Sequence, residues 1–209
     1  MSEDMRTRIL NAAGPIFAEK GFQAATVREI CDAAGANVAS VNYYFGDKEQ
    51  LYIETVKRAR QLKAARVPLP KFDTSTSPEA CLRDYIKALL TRMIGVPEAP
   101  WQPRLMMREM LQPTKACQEV VEEYIQPDFN LLLEILTALL PDETPPHVRR
   151  QVGFSIVGQC LFYRVAGDVV AMLVPDGELE QHYSVDRLAE HVSQMTLSAL
   201  NKSPEPAAG

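Results

Sequence analysis

The first apolar residues of the chain recur every three or four positions, which is the period of an α-helix. The pattern predicts a first helix from about Asp4 to Lys20. Its apolar face contains Ile9, Ala13, Ile16 and Phe17. Gly14 and Pro15 lie inside this helix, and a proline in a helix interior removes a backbone hydrogen bond, so the pair predicts a kink. Gly21 follows as a candidate C-terminal cap.

Two short helices and a tight turn come next. Thr26 precedes the second helix and Glu29 stands three residues later, a spacing that predicts a capping box. Gly35 ends this helix, and a third helix is predicted over Val38–Phe45. Two short helices joined at a glycine are typical of a helix-turn-helix unit. The pattern alone also fits a three-helix packing unit with no role in DNA binding.

The rest of the chain continues as amphipathic helices separated by polar or proline-containing loops. A fourth helix is predicted over about residues 47–66, and residues 67–78 form a loop or boundary because they hold three prolines and four Ser or Thr. Two long helices are predicted over about residues 147–173 and 184–201, with a loop between them. No alternating strand pattern is present, so the prediction is an all-α protein of about nine helices.

The charge is distributed unevenly around a net value of −5. Residues 1–66 contain ten Lys and Arg against eight Asp and Glu, whereas the remainder contains twelve against nineteen. The first third of the chain is mildly basic and the remainder is acidic. This distribution suits a protein that binds a polyanion through its first third, because contact with phosphates is favoured by local positive charge.

Reactive-site motifs are not found. The four cysteines are widely spaced, without a CxxC pair or a histidine at ligand spacing, and are predicted to be buried reduced thiols: Cys31, Cys81, Cys117 and Cys160. The sequence has no HExxH, no GxSxG and no Gly-rich phosphate loop. We therefore expect a protein without enzyme activity, metal or cofactor.

The sequence also predicts a cytoplasmic protein that does not span a membrane. The N-terminal residues have no apolar signal core. The most apolar stretch, residues 152–174, is interrupted by Gln159, Arg164 and Asp168. A helix with these three side chains suits a protein interior better than lipid.

The outward side of the predicted third helix has the chemistry of base recognition. Its apolar residues must face the first helix, which leaves small or hydrogen-bonding side chains outside: Ala39, Ser40, Asn42 and Tyr43. An Asn can pair with adenine through two hydrogen bonds, and an Ala can contact the thymine methyl group. Thr26, Arg28, Tyr44 and Lys48 are candidates for phosphate contacts, which position a protein without specifying sequence.

The segment ILNAAGPIFAEKGFQAATVREICDAAGANVASVNYYFGDKEQLY resembles the N-terminal domain of the tetracycline-repressor (TetR) family. The matching features are ILNAA with IFAEKGF, the Thr26–Ile30 opening of the second helix, the Ala34-Gly35 turn and the run Tyr43–Leu51. Gly14-Pro15 departs from the usual residues of the family. Asn37 and Val38 replace the Ser or Thr and the Lys or Arg of many members, so the operator sequence cannot be carried over.

The resemblance implies a role for each candidate residue. Thr26 and Arg28 would contact phosphate or the groove edge, and Tyr44 and Lys48 would hold the DNA backbone. The third helix would read bases through Ala39, Ser40, Asn42 and Tyr43. The partner would be double-stranded operator DNA.

The body of the chain resembles a helical ligand-binding and dimerisation domain. The segments RLMMREMLQPT, YIQPDFNLLLEIL and SIVGQCLFYR are similar to the subgroup typified by the cephalosporin- and chloramphenicol-sensitivity regulator (CecR). The implied division is a DNA-binding domain over residues 1–50, a connecting helix over about 47–66, a ligand-binding and dimerisation domain over 51–203, and a disordered tail over 204–209.

In such a fold the last two long helices, about residues 147–173 and 184–201, would form a homodimer as a four-helix bundle, with an intramolecular core as the alternative. Flexible methionines and aromatic residues suit a pocket for an unknown small-molecule effector, although each also suits a core. The candidates are Trp101, Met106, Met107, Met110, Tyr124, Phe162, Tyr163 and Arg164.

These features predict a ligand-responsive transcriptional regulator. We expect a repressor that binds a palindromic operator as a homodimer and is released by a small molecule. The alternative is an all-helical small-molecule-binding or protein-interaction module in which the helix-turn-helix unit is only structural.

Overall fold

The computed structural model describes residues 4–73, 75–97 and 99–201, apart from the side chains of residues 62, 63 and 201. These residues form helices and connecting loops, with no strand among them. The predicted all-α fold is confirmed. The predicted disordered tail over residues 204–209 lies outside the described residues.

Twelve α-helical segments and two π-helical turns follow one another along the described chain. In order they are α1 (Met5–Ala24), α2 (Val27–Ala34), α3 (Val38–Phe45), α4 (Lys48–Arg66), α5 (Pro78–Leu90), π1 (Thr91–Gly95), α6 (Trp101–Leu111), α7 (Lys115–Val120), π2 (Val121–Ile125), α8 (Gln126–Leu139), α9 (Pro146–Val165), α10 (Gly167–Leu173), α11 (Glu178–His182) and α12 (Val185–Asn201).

The chain folds into two compact units, and the first is built from two separate stretches. Of the described residues, those up to 65 and those over 99–126 form the first unit, and those over 66–97 and 127–201 form the second. The stretch 99–126 belongs to the first unit because Leu105, Ala116 and Val120 are buried in the same apolar core as α1–α4. These two units are defined by how the helices pack. The functional division predicted at residue 50 stays a prediction.

Gly14 on α1 has a packing partner in the first unit. The indole of Trp101 on α6 lies so close that a Cβ at position 14 would be 2.8 Å from three of its ring atoms. The backbone dihedral angles of α1 stay helical through Pro15 and leave the helical range only at Gly21, where φ is 76°. The sequence predicted a kink at Pro15. The structure instead has the break six residues later, at Gly21, the predicted C-terminal cap.

The second unit has its own core, to which α5, α8, α9 and α12 contribute. Its fully buried apolar side chains include Leu82, Ile86, Leu90, Leu132, Ile135, Leu136 and Cys160. The guanidinium of Arg92 on π1 is also buried, and it donates hydrogen bonds to the Asp128 carboxylate (2.8 Å) and to the Val67 carbonyl (2.7 Å). A buried cation persists where it is paired and hydrogen-bonded in this way.

The structure corrects two predicted segments. The helix predicted over residues 147–173 is broken at Ala166, where α9 and α10 meet at 76°. Gly167 begins α10, and glycine costs about 1 kcal/mol of helix propensity relative to alanine. Residues 178–182, predicted as loop, form the short helix α11. The π-helical turn π2 ends two residues before Pro127.

Candidate nucleic-acid interface

The N-terminus of α2 is closed by a capping box. The Glu29 backbone N–H donates to Thr26 Oγ1 (3.2 Å), while Glu29 Oε2 accepts from the Thr26 backbone N–H (3.0 Å) and from its hydroxyl (2.9 Å). The predicted capping box is confirmed. Since the Thr26 hydroxyl already donates to Glu29, a phosphate at this helix end would have to meet the remaining backbone N–H groups or compete with a carboxylate.

An ion pair adds to this cap. The Lys20 ammonium donates to Glu29 Oε1. This hydrogen bond, with those from Thr26, lowers the pKa of Glu29 to about 2, and the same pairing raises the pKa of Lys20. The carboxylate therefore stays charged at neutral pH, and it stands beside the N-terminus of α2, where the helix dipole favours negative charge.

The turn between α2 and α3 is fixed by an arginine from α1. Gly35 has φ 60° and ψ 40°, a left-handed conformation that favours glycine. The Arg8 guanidinium donates to the Ala34 carbonyl (2.6 Å) and would be 2.8 Å from a Cβ at position 35. The sequence signal at Gly35 was visible, whereas Arg8 was missed because its partner lies 26 residues away.

Helix α3 is held by both its cap and its core. Asn37 Oδ1 accepts from the Ser40 backbone N–H (2.8 Å) and from the Ser40 hydroxyl (3.0 Å). Val41 is 0% exposed and Phe45 is also buried, so the opposite side of α3 faces outward. The bounds of α3, Val38–Phe45, are those that the sequence predicted.

The predicted base-reading residues lie on that outward side. Ala39, Asn42 and Tyr43 are exposed, Tyr43 to 82%, and Ser40 is half-buried. Tyr43 and Tyr44 meet edge to face, with ring centroids 4.9 Å apart. Because Ser40 already donates its proton to Asn37, its hydroxyl offers DNA an acceptor in this geometry.

The predicted phosphate-contacting residues come from three helices of the same unit. Thr26 and Arg28 are exposed at the start of α2, and Tyr44 is exposed on α3. Lys48, at the start of α4, donates to the Gln23 carbonyl (3.2 Å), and its ammonium lies 4.8 Å from the centre of the Phe22 ring. These contacts hold Lys48 at the end of α1 and leave further N–H donors of the ammonium for DNA.

The eight predicted pocket residues belong to both units. Trp101, Met106 and Tyr124 pack against the core of the first unit, and Tyr163 packs against the core of the second. Met107 and Arg164 are half-buried in different units. Met110 and Phe162 are exposed. The structure therefore divides this set between the two units.

A cavity of about 980 Å³ lies in the second unit, between α9, α12 and the α8–α9 loop. Its wall includes Val148, Gln151, Val152, Ser155, Gln159 and Thr196. None of the eight predicted residues lines it. The signal that was available is the spacing of Gln151, Ser155 and Gln159, which places three polar groups on one face of a largely apolar helix.

Two further observations concern metal sites and membrane spans among the described residues. No group of three His, Cys, Asp or Glu side chains there is arranged to hold a metal ion. No single helix among them is long and apolar enough to cross a membrane, while α9 and α10 pass that test of length and composition only as a bent pair.

A helix-turn-helix unit whose third helix has an exposed polar face, followed by a second helical unit with a cavity, defines the class of helical DNA-binding regulators. Residues 9–55 match the family model of bacterial regulatory proteins of the tetR family. Residues 78–200, more than half of the chain, match the C-terminal domain of the HTH-type transcriptional dual regulator CecR. The chain belongs to the tetR family and has a CecR-type C-terminal domain.

Individual relatives agree with this assignment. The chain is 25% identical over 179 residues to CecR of Shigella flexneri, covering 81% of this chain and 80% of the relative. It is 30% identical over 132 residues to the transcriptional regulator RutR of Escherichia coli K12, covering 63% and 58%. A crystal structure of a HlyIIR linker mutant shares the fold, with a TM-score of 0.59 at 24% identity, covering 89% and 95%.

The family assignment confirms the predicted type of protein and its C-terminal subgroup. The chain is a ligand-responsive DNA-binding transcriptional regulator. Its relatives are transcriptional regulators, and regulators of this family bind operator DNA.

Proposed function

We propose that this protein represses transcription by binding a palindromic operator as a homodimer in the cytoplasm, and that a small molecule releases it. The observation that carries the proposal is the outward face of α3. Its apolar side is buried by Val41 and Phe45, while Asn42 and Tyr43 are exposed beside Ala39. A helix that keeps hydrogen-bonding groups and a small side chain in solvent is suited to the major groove.

Within this proposal the outward residues have two tasks. Ala39, Ser40, Asn42 and Tyr43 read base edges. Thr26, Arg28, Tyr44 and Lys48 contact phosphates and fix the orientation of α3. The Lys48 contacts with Gln23 and Phe22 support this division, because they hold a cation near the end of α1 without consuming all its donors.

The homodimer is proposed to form through α9 and α12. Phe154 on α9 and Met195 on α12 are exposed apolar side chains. A Cβ added at Gly158 would meet nothing within 4 Å, so this part of α9 leaves room for a second helix. Two helices from each subunit form a four-helix bundle, and two recognition helices then reach half-sites about 34 Å apart or a multiple of it.

The effector site has two candidate positions. The eight predicted residues remain one candidate set, and the cavity beside α9 and α12 is the second. Its volume suits a drug-sized molecule, and its polar groups are neutral amides and hydroxyls apart from Glu143. Val152→Trp fills the cavity, and Met107→Trp alters the predicted set. If the ligand no longer releases one variant from DNA but still releases the other, the effector site is the one that the first variant alters.

DNA binding is tested by a mobility-shift assay with the DNA upstream of the protein's own gene. We expect the wild type to retard this DNA, and Asn42→Ala and Lys48→Ala to lose retardation. Gln181→Ala, an exposed change on α11, serves as the matched control. Absence of binding to its own and neighbouring promoters, at low salt and with varied ligands, would favour the interaction module in which the helix-turn-helix unit is structural.

A further inference from the structure

The ring of Phe22, near the end of α1, contacts two side chains of α4. Lys48 and Tyr52 are four residues apart, so they lie one turn apart on the same face of that helix. The Lys48 ammonium is 4.8 Å from the centre of the Phe22 ring, and the centre of the Tyr52 ring is 5.3 Å from it. Phe22 is half-buried and packs against the core of the first unit, so the ring that meets Lys48 is itself held in place.

A backbone carbonyl completes the surroundings of the Lys48 ammonium. Gln23 is among the last residues of α1, whose carbonyls lack a donor within the helix. The Gln23 carbonyl accepts a hydrogen bond from Lys48 (3.2 Å). The ring of Phe22 and the carbonyl of the next residue therefore fix the ammonium from two sides.

These contacts orient Lys48 without neutralising its charge. Three other lysines of the first unit are paired with carboxylates: Lys20 with Glu29, Lys57 with Glu119 and Glu123, and Lys115 with Glu49. Among the described residues no carboxylate pairs with Lys48, whose contacts are a neutral ring and a neutral carbonyl. A phosphate can therefore approach this ammonium without displacing an acidic side chain.

We propose that Phe22 is a positioning residue for DNA binding, which holds the Lys48 ammonium ready to donate to a phosphate. The inference rests on the proposed phosphate contact of Lys48. A free lysine side chain has many rotamers, and it loses this freedom when it binds. Contacts that order the side chain beforehand reduce this entropic cost of binding. In this role Phe22 does not touch DNA and acts only through Lys48.

The test measures the Kd of operator and scrambled duplexes by fluorescence anisotropy. Phe22→Leu keeps an apolar side chain but removes the π face. We expect it to weaken binding to both duplexes by the same factor, about two- to fivefold, which is the size of an exposed cation–π contact. Phe22→Tyr keeps the ring and should bind as the wild type does. In a Lys48→Ala background, Phe22→Leu should cause no further loss.

A control and a spectroscopic measurement separate positioning from folding. Phe17→Leu removes the other ring of α1 that meets Tyr52, so it perturbs the same core, and it should leave the Kd unchanged. In the DNA-free protein, the ring current of Phe22 should shift the ε-methylene protons of Lys48 upfield in the proton NMR spectrum. This shift should disappear in Phe22→Leu and persist in Phe22→Tyr.

The outcomes distinguish the positioning role from DNA binding itself. A wild type that binds no DNA, or a Lys48→Ala variant that binds as the wild type does, overturns the phosphate contact and the positioning role together. If Lys48→Ala weakens binding, an unchanged Kd in Phe22→Leu overturns the positioning role alone. An equal loss from Phe22→Leu in both Lys48 backgrounds also overturns it, because Phe22 would then act through the fold. So does the absence of the upfield shift in the wild type.

Discussion

The indole ring of Trp101 lies on the backbone of α1 at Gly14, with no room for a side chain between them. The two residues are 87 positions apart in sequence and join α6 to the helix on which the helix-turn-helix unit packs. Three residues before Arg108 on the same helix, Leu105 is fully buried in the core of the first unit. Arg108 itself donates to the Glu19 carbonyl (3.2 Å). Helix α6 is thus attached along α1 at several points.

The Trp101–Gly14 contact predicts the effect of adding a single methyl group. Gly14→Ala should lower the free energy of unfolding by about 1–3 kcal/mol, because overpacking forces the ring or the helix to shift. In a Trp101→Leu background the same change should be neutral or stabilising, by up to about 1 kcal/mol, since alanine is the better helix former. Urea denaturation of the wild type, the two single variants and the double variant measures the coupling between positions 14 and 101. Equal effects in both backgrounds would contradict the contact.

A buried carboxylate joins α6 to α4. Glu109 is only 2% exposed; it accepts hydrogen bonds from the Tyr52 hydroxyl and, through Oε2, from the Thr114 hydroxyl (2.8 Å) and backbone N–H (3.2 Å). Glu109→Ala would leave these donors without an acceptor, which costs about 1–3 kcal/mol for a buried polar group. Thermal unfolding checks this. Glu119→Ala, on the partly exposed pair with Lys57, should cost less.

The same cluster predicts how stability depends on alkaline pH. Burial and the hydrogen bond to Glu109 raise the pKa of Tyr52 well above its ordinary value of 10. The folded state therefore favours the neutral phenol, so this contribution is complete below pH 10 and is lost as the pH rises above 10. We expect the unfolding midpoint to fall steeply above pH 10 and less steeply in Tyr52→Phe. Identical slopes would show that Tyr52 does not carry the effect.

The sequence predicted those parts of the interface that depend on neighbouring residues. The capping box at Thr26 and Glu29, the left-handed Gly35 and the bounds of α3 each need only a few adjacent side chains, so their signals are local. The outward face of α3 followed from the same helical period. The identity of the residues at these positions was therefore sufficient to predict the cap, the turn and the exposed face.

Other features depend on residues distant in sequence, and no local pattern contains them. The sequence near Gly14 does not explain a glycine there, whereas in the structure Trp101 lies against it. The sequence near Arg8 likewise does not indicate that this residue supports the turn at Ala34. The break at Ala166 was missed for a different reason, because the apolar period continues through it. The pocket set stays a prediction, because flexible and aromatic side chains serve cores and cavities alike and residue type does not locate a pocket.

The cap of α2 predicts a response to acid. Because Lys20 and Thr26 lower the pKa of Glu29 to about 2, its contribution to stability is present above its ordinary value of 4.5 and is lost as the pH falls toward 2. Glu29→Gln should lower the urea midpoint at pH 7 and have no effect near pH 2. An equal loss at both pH values would mean that the side chain acts by geometry rather than by charge.

The proposed DNA contacts predict two different kinds of loss. Lys48→Ala should weaken binding to all sequences alike and reduce the slope of log K against log salt by about 1, since it removes one phosphate contact. Asn42→Ala should leave that slope unchanged and cost about 1–3 kcal/mol at the operator, with relaxed preference at one base pair. Fluorescence anisotropy on operator and scrambled duplexes, at salt concentrations from about 50 to about 200 mM, separates the two kinds of loss. If Asn42→Ala changed the slope and Lys48→Ala changed the base preference, the assigned roles of α3 and α4 would be reversed.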